Sequence, residues 1–147
     1  MLHIGFARSG TIEDKIVETA KQHNVDYNLA LAFAEVESRF NPKASRYEPK
    51  LKTRTIGLFQ ILLQTARVVG FKGTASELYD TDTNILYGIK YLAKCQNLYG
   101  KSPKQIVCCY NGGWAVTDSV CRNDPNIKQY GSLVMTAIKK YKLAELN

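Results

Sequence analysis

A stripe of apolar residues with helical spacing runs through the first third of the chain. The stripe falls at positions i, i+4, i+7 and i+11 and consists of Leu29, Phe33, Val36 and Phe40. Asp26 precedes it as a suitable N-cap, and Pro42 closes it because the residue before a proline avoids the helical region. The pattern predicts an amphipathic helix from Asp26 to Asn41.

Other stretches carry similar start and stop signals for helices. One predicted helix runs from Thr11 to near "HNV", and two more cover about 64–69 and 82–99. A further helix runs from Ser102 to "YNGG", and a last one covers about 126–146. Residues 43–56 lack periodicity and are typical of a loop or small hairpin. The following "IGLFQILL" suits either a strand edge or the approach to a helix.

These elements predict a mainly α fold. At 147 residues, with 45% hydrophobic and 22% charged residues, the chain can bury a core as one domain. We therefore expect a single domain over 1–147, with residues 1–10 as a short N-terminal extension and a small β-hairpin or irregular loop around 43–60.

The net charge of +7 and pI near 9.2 favour an anionic partner. The basic residues are spread along the chain, which disfavours a nucleic-acid-binding domain. The longest apolar run, 29–34, is too short to span a membrane, and no secretory signal is recognisable. We expect the protein either to leave a cytoplasm by another route or to have lost a signal beforehand.

The cysteines do not form a recognisable metal motif. They are Cys95, Cys108, Cys109 and Cys121. Three two-disulfide pairings are open to them, and a zinc site is weakly supported because the chain has no CxxC and no nearby histidine. In a reducing compartment we expect buried free thiols.

Carboxylates are the best candidates for chemistry, because the two histidines lie near no nucleophile motif. Glu35 and Glu37 point about 200° apart on one helix, so they cannot serve one cleft. Glu35 has Arg39 at i+4 and is expected to pair with it. Glu37 has no such cation, has apolar neighbours and lies at the helix C-terminus. Desolvation and the helix dipole would both raise its pKa, as a general acid requires.

Four strings occur in an order that resembles soluble lytic transglycosylases, the SLT-domain group of glycoside hydrolase family 23, which is related to goose-type lysozyme. The strings are "ESRFNPKA" (37–44), "GLFQI" (57–61), "LYDTDTNILYGIKYL" (78–92) and "CYNGG" (109–113). The resemblance covers about 12–141. It implies a helical lysozyme-like fold whose cleft binds a peptidoglycan glycan strand, with Glu37 as the catalytic residue.

The resemblance also implies a mechanism and a substrate-binding set. Glu37 would protonate the bond between N-acetylmuramic acid and N-acetylglucosamine and then act as a base, giving a 1,6-anhydro sugar with no metal or cofactor. Ser45, Gln60, Tyr110 and Asn111 match family positions that line the cleft, with the tyrosine placed near the catalytic glutamate. We expect a monomer that acts at the bacterial cell wall, in the periplasm or outside the cell.

The chain departs from the family pattern at several positions. Phe59 and Leu63 replace residues that are often methionine and proline, and the stretch from Ser45 to Thr55 is longer than usual. "NIKQY" (126–130) is similar to a family motif that begins with an acidic residue, so Asn126 stands where a second acid often lies.

Other functions remain open from the sequence. A lysozyme-type hydrolase would need a second carboxylate, for which Glu48, Asp80 and Asp82 are the nearby candidates. A non-catalytic peptidoglycan-binding protein would fit the change at Asn126. A wall enzyme without a signal could be a phage virion or lysis protein, or part of a secretion apparatus.

Overall fold

The computed structural model describes residues 10–100, 102–114, 116 and 118–147, so the expected N-terminal extension lies almost wholly outside the described residues. Its elements, in chain order, are α1 (Ile12–Gln22), α2 (Tyr27–Ser38), β1 (Ser45–Glu48), β2 (Thr53–Ile56), β3 (Ile61–Leu62), α3 (Leu63–Val68), α4 (Ala75–Leu78), α5 (Thr81–Tyr99), α6 (Pro103–Gly112), α7 (Asp118–Asn123) and α8 (Pro125–Glu145). The mainly helical prediction is confirmed. Among the described residues, no helix is both long and apolar enough to cross a membrane.

Helix starts follow the capping signals in the sequence. Thr11 forms a capping box with Asp14, and the Asp26 carboxylate accepts the backbone N–H of Asn28 at 2.8 Å. The predicted helix over 26–41 ends early, at Ser38, because Arg39 and Phe40 adopt left-handed backbone conformations. The chain therefore turns sharply just after Glu37.

The segment from 45 to 62 forms a three-stranded antiparallel sheet in the order β1-β2-β3. Ser45 pairs with Ile56, and Ile56 pairs with Ile61. The hairpin prediction is confirmed, and "IGLFQILL" supplies both a short strand and the approach to α3. The structure adds two short helices, α4 and α7, that the sequence pattern did not predict.

The core is built around α2. Every residue from Asn28 to Ala34 is buried, so the helix is enclosed on all sides over this half and the single-stripe prediction was too narrow. Helices α1 and α8 pack against α2, while α5 packs on α1 and α6, and α6 packs on α8. Most buried apolar residues of these elements form one continuous cluster.

Two disulfides tie the C-terminal helices together, in place of the free thiols expected for a reducing compartment. Cys95 of α5 is bonded to Cys109 of α6, and Cys108 of α6 is bonded to Cys121 of α7. Their Cα separations of 5.7 and 5.6 Å are typical of disulfides. The sequence left the pairing open because it depends on which helices meet in three dimensions.

Candidate active site

Glu37 lies in the last turn of α2, half-buried, where α8 crosses. The Tyr130 hydroxyl on α8 donates a hydrogen bond to Glu37 Oε1. This bond joins residues 93 positions apart and results from the packing of α8 on α2. The carboxyl group is therefore held in one orientation by a neutral donor.

The environment of Glu37 favours its protonated form. Its pKa is raised from 4.5 to about 7, and desolvation by burial is the largest cause. The Tyr130 hydrogen bond and the Arg46 charge oppose this rise, while the Glu48 charge adds to it. A carboxyl group with a pKa near 7 can exchange a proton in both directions at neutral pH.

Aromatic rings form the wall beside Glu37. The Phe33 ring lies 4.7 Å from that of Tyr110 and 6.1 Å from that of Tyr130, measured between centroids. Burial raises the pKa of both tyrosines well above the ordinary value, and the Glu37 charge adds to the rise. Both phenols therefore remain neutral hydrogen-bond donors at physiological pH.

Tyr110 does not bond to the glutamate. Its hydroxyl donates to the backbone carbonyl of Phe59 at 2.6 Å, which ties α6 to the turn between β2 and β3. The "YNGG" tyrosine thus lies close enough for the Glu37 charge to raise the Tyr110 pKa, but Tyr130 is the residue that bonds to Glu37. Asn111, the next residue on α6, is exposed.

Gln60 lies buried in the turn between β2 and β3 with a left-handed backbone, φ +46°. Its side-chain oxygen accepts from the Thr55 hydroxyl, and its amide nitrogen donates to the Gly57 carbonyl at 2.9 Å. These bonds hold the turn in shape. Ser45 lies at the start of β1, where its hydroxyl accepts from Arg54 Nε at 2.8 Å.

Asn84 of α5 also holds the turn between β2 and β3, and it is fully buried. Its side-chain oxygen accepts from the Phe59 N–H, and its amide donates to the carbonyls of Ile56 and Leu78, all at 2.9 Å. A Cβ on Gly57 would lie 2.4 Å from the Asn84 amide nitrogen, and Gly57 has φ +73°. Gly57, the glycine of "GLFQI", and Asn84, the asparagine of "TNILYG", are therefore in direct contact.

Phe59 packs on α5 in an equally tight way. It is fully buried, and a Cβ on Gly88 would lie 2.4 Å from its ring. The glycine of "LYGIKYL" therefore lets the turn approach α5, which positions the Phe59 carbonyl beneath Tyr110. Three of the four sequence strings meet at this turn.

Charged groups of the hairpin lie near Glu37. Arg46 and Glu48 of β1 form an ion pair at 2.7 Å, and both charges influence the pKa of Glu37. The two other carboxylates considered for a second role are engaged elsewhere. Asp80 caps α5 through Thr83, and Asp82 forms an ion pair with Lys15 at 2.9 Å.

The expected pairing of Glu35 with Arg39 was wrong. Glu35 instead forms an ion pair with Lys140 of α8. Arg39 adopts the left-handed conformation that ends α2, which takes it out of the regular i+4 geometry. Asn126 is exposed in the first turn of α8, one turn before Tyr130, and the neighbouring acid Asp124 caps that helix.

Sequence reasoning missed Tyr130 as a site residue. It is the last residue of "NIKQY", the string whose first residue, Asn126, stands where the family often has an acid. The i+4 spacing from Asn126 was the available signal, since both residues lie on one face of α8.

Comparisons with known proteins agree with this architecture. The family model described as "Transglycosylase SLT domain" matches residues 14–131. The structure is similar to that of the 70-kDa soluble lytic transglycosylase from Escherichia coli, with a TM-score of 0.75, 22% identity and 90% of this chain covered. It is also similar to a complex of the 70-kDa soluble lytic transglycosylase with bulgecin A, with a TM-score of 0.76, 20% identity and 91% covered.

A third similar structure is an inactive mutant of lytic transglycosylase Slt from Pseudomonas aeruginosa, with a TM-score of 0.74, 18% identity and 88% of this chain covered. The chain spans about a quarter of each of these structures, 24% in every case. Because the family model matches residues 14–131, which is well over half of the sequence, the chain belongs to the transglycosylase SLT domain family.

Proposed function

We propose that the protein is a peptidoglycan lytic transglycosylase in which Glu37 acts first as a general acid and then as a general base. The observation that carries the proposal is a half-buried carboxyl group, oriented by Tyr130, whose pKa lies near 7. Membership of the SLT domain family supports the choice of substrate. Glu37 is also the first residue of the family-like string "ESRFNPKA".

The reaction needs one proton to move twice. Protonated Glu37 donates to the glycosidic oxygen between N-acetylmuramic acid and N-acetylglucosamine, and that C–O bond breaks. The N-acetyl group of the substrate stabilises the positive charge at C1, which replaces a second carboxylate. The Glu37 carboxylate then takes the C6 hydroxyl proton as O6 closes on C1, so water is not consumed and no metal or cofactor is used.

The other site residues would hold the glycan strand and the acid. Tyr130 would orient Glu37, and Ser45, Gln60, Tyr110 and Asn111 would line the cleft. The internal bonds of Gln60 and Tyr110 indicate that these two act mainly by fixing the turn. Exposed Asn111 is the residue among them with a side chain open to solvent and substrate.

The bacterial cell wall would be the place of action. Disulfides persist in oxidising compartments, and Cys95–Cys109 and Cys108–Cys121 fit the periplasm or the outside of the cell. Release from a virion, release at lysis, or passage through a secretion apparatus would each bring the chain there. We propose that it acts as a monomer.

The test is cleavage of purified sacculi by Glu37→Gln, with Glu35→Gln as the matched control on the same helix. We expect Glu37→Gln to lose about a thousandfold or more of the activity, because an amide cannot donate the proton. Glu35→Gln should keep activity within about a few fold. Equal activity of Glu37→Gln and the unaltered protein would show that another group is the acid.

A lysozyme-type hydrolase is the second candidate, and one observation favours it. Glu48 is a second carboxylate near Glu37, since its charge raises the Glu37 pKa. In that mechanism Glu48 would activate a water molecule. Its ion pair with Arg46 argues for a structural role instead. Glu48→Gln should stop a hydrolase and leave a transglycosylase largely active.

A further inference from the structure

A groove of about 660 Å³ lies between α6, α7 and α8, away from Glu37. On α8 it is lined by Lys128, Ser132 and Lys139, among others. At 100° per residue these positions lie about 160–180° around the helix axis from Tyr130. The other lining residues of α8, Ile127, Gly131 and Met135, lie about 60°, 100° and 140° from Tyr130. The groove lining includes neither Glu37 nor Tyr130, so an occupant would leave Glu37 uncovered.

The lining separates sharply into an apolar floor and a charged rim. Its buried members are all apolar: Val107, Cys108 and Ile127. Its charged members are all exposed and consist of Lys104, Arg122, Lys128 and Lys139 with one acid, Asp118. Within the described part of the chain, none of the four cations forms a salt bridge, so the rim carries an unbalanced positive charge.

This arrangement suits a protein segment better than a small ligand. A small-molecule site places polar groups inside an apolar cavity to orient its ligand, and this floor has none among its buried residues. An apolar centre with a polar rim is instead the usual anatomy of a protein interface. Met135 on the lining adds a flexible apolar side chain that can adapt to a partner.

The size and rigidity of the groove point to a helix. The lining extends along α8 from Ile127 to Lys139, which at 1.5 Å per residue is about 18 Å, or roughly three helical turns. The Cys108–Cys121 disulfide ties α7 to α6 and so fixes two walls of the groove. A wall fixed in advance reduces the entropy lost on binding.

We propose that this groove docks an acidic amphipathic helix of a partner protein. Apolar side chains of that helix at i, i+4 and i+7 would lie on Val107 and Ile127, and flanking acidic residues would meet the four rim cations. The inference does not depend on the proposed function, because the groove lining contains none of the residues proposed for the cleft.

The probe is a fluorescent synthetic helix of about four turns, with leucines at i, i+4 and i+7 and glutamates on both flanks. We expect saturable binding by fluorescence anisotropy, with amide shifts in the ¹⁵N spectrum confined to α6, α7 and α8. Lys128→Glu with Lys139→Glu should weaken binding about tenfold or more. The control pair Lys72→Glu with Lys142→Glu changes the net charge equally outside the groove and should have about a twofold effect or less.

A second pair of variants tests the floor. Ser132→Trp should fill the groove and abolish binding, whereas Leu133→Trp, one residue along α8 at an exposed position outside the lining, should not. The proposal is overturned by any of these results: no binding of the probe, equal binding of a scrambled peptide, equal losses in test and control variants, or shifts centred on α2. Tighter, Lys128-dependent binding to phosphatidylglycerol vesicles than to the peptide would also overturn it in favour of a membrane surface.

Discussion

The hydroxyl of Tyr130 on α8 donates a hydrogen bond to Oε1 of Glu37 on α2, across 93 positions of sequence. Burial raises the pKa of Glu37 to about 7, while this bond acts in the opposite direction by stabilising the carboxylate. Tyr130 thus orients the acid and limits how far its pKa rises. Both roles can be separated experimentally.

Tyr130→Phe should move the pH profile of kcat/KM as well as lower it. The activity of a general acid falls as pH rises through its pKa, which places the alkaline limb near pH 7. Removing the Tyr130 donor raises the Glu37 pKa further, so the limb should move to higher pH by up to about one unit. Tyr110→Phe is the matched control, because its hydroxyl bonds to Phe59. A limb that stays in place in Tyr130→Phe would contradict this role.

Glu37→Gln should be more stable than the unaltered protein at pH 8 and equally stable at pH 4. The folded protein holds the Glu37 proton up to about pH 7, whereas the unfolded chain releases it near 4.5. Stability is therefore lost as pH rises through this window. At 1.36 kcal/mol per pKa unit, the difference at pH 8 should reach about 3 kcal/mol. Urea unfolding at both pH values measures it, and a difference of the same size at pH 4 would refute the assignment.

Asn84→Ala should destabilise the fold and weaken catalysis together. The change leaves the buried Phe59 N–H and the carbonyls of Ile56 and Leu78 without their partner. We expect a loss of about 2–4 kcal/mol in the free energy of unfolding. Asn111→Ala, at an exposed position, should change it by about 0.5 kcal/mol or less. Similar losses in the free energy of unfolding of the two variants would show that the Asn84 contacts do not hold the turn.

Local signals in the sequence predicted the fold well. Thr11, Asp26 and Gly100 mark helix ends through contacts with residues a few positions away, and each proved to be a cap. Glu37 was singled out in the same way, because its helical neighbours are apolar. The apolar neighbours indicated that Glu37 would be buried, and this burial is the largest cause of its raised pKa.

Contacts between residues far apart in the sequence could not be predicted from such local signals. Glu35 pairs with Lys140, 105 positions away, in place of Arg39 on its own helix. Tyr130 reaches Glu37 because α8 packs on α2, and Cys109 meets Cys95 because α6 packs on α5. In each case the sequence offers several chemically suitable partners, and tertiary packing selects one.

Analysis of the products released from purified sacculi in ¹⁸O water tests the central claim most directly. If Glu37 acts as acid and then base, mass spectrometry will find 1,6-anhydro-muramic ends that are lighter by one water than hydrolysed ends and contain no ¹⁸O. Reducing ends that carry ¹⁸O would contradict the account and identify a hydrolase on the same fold.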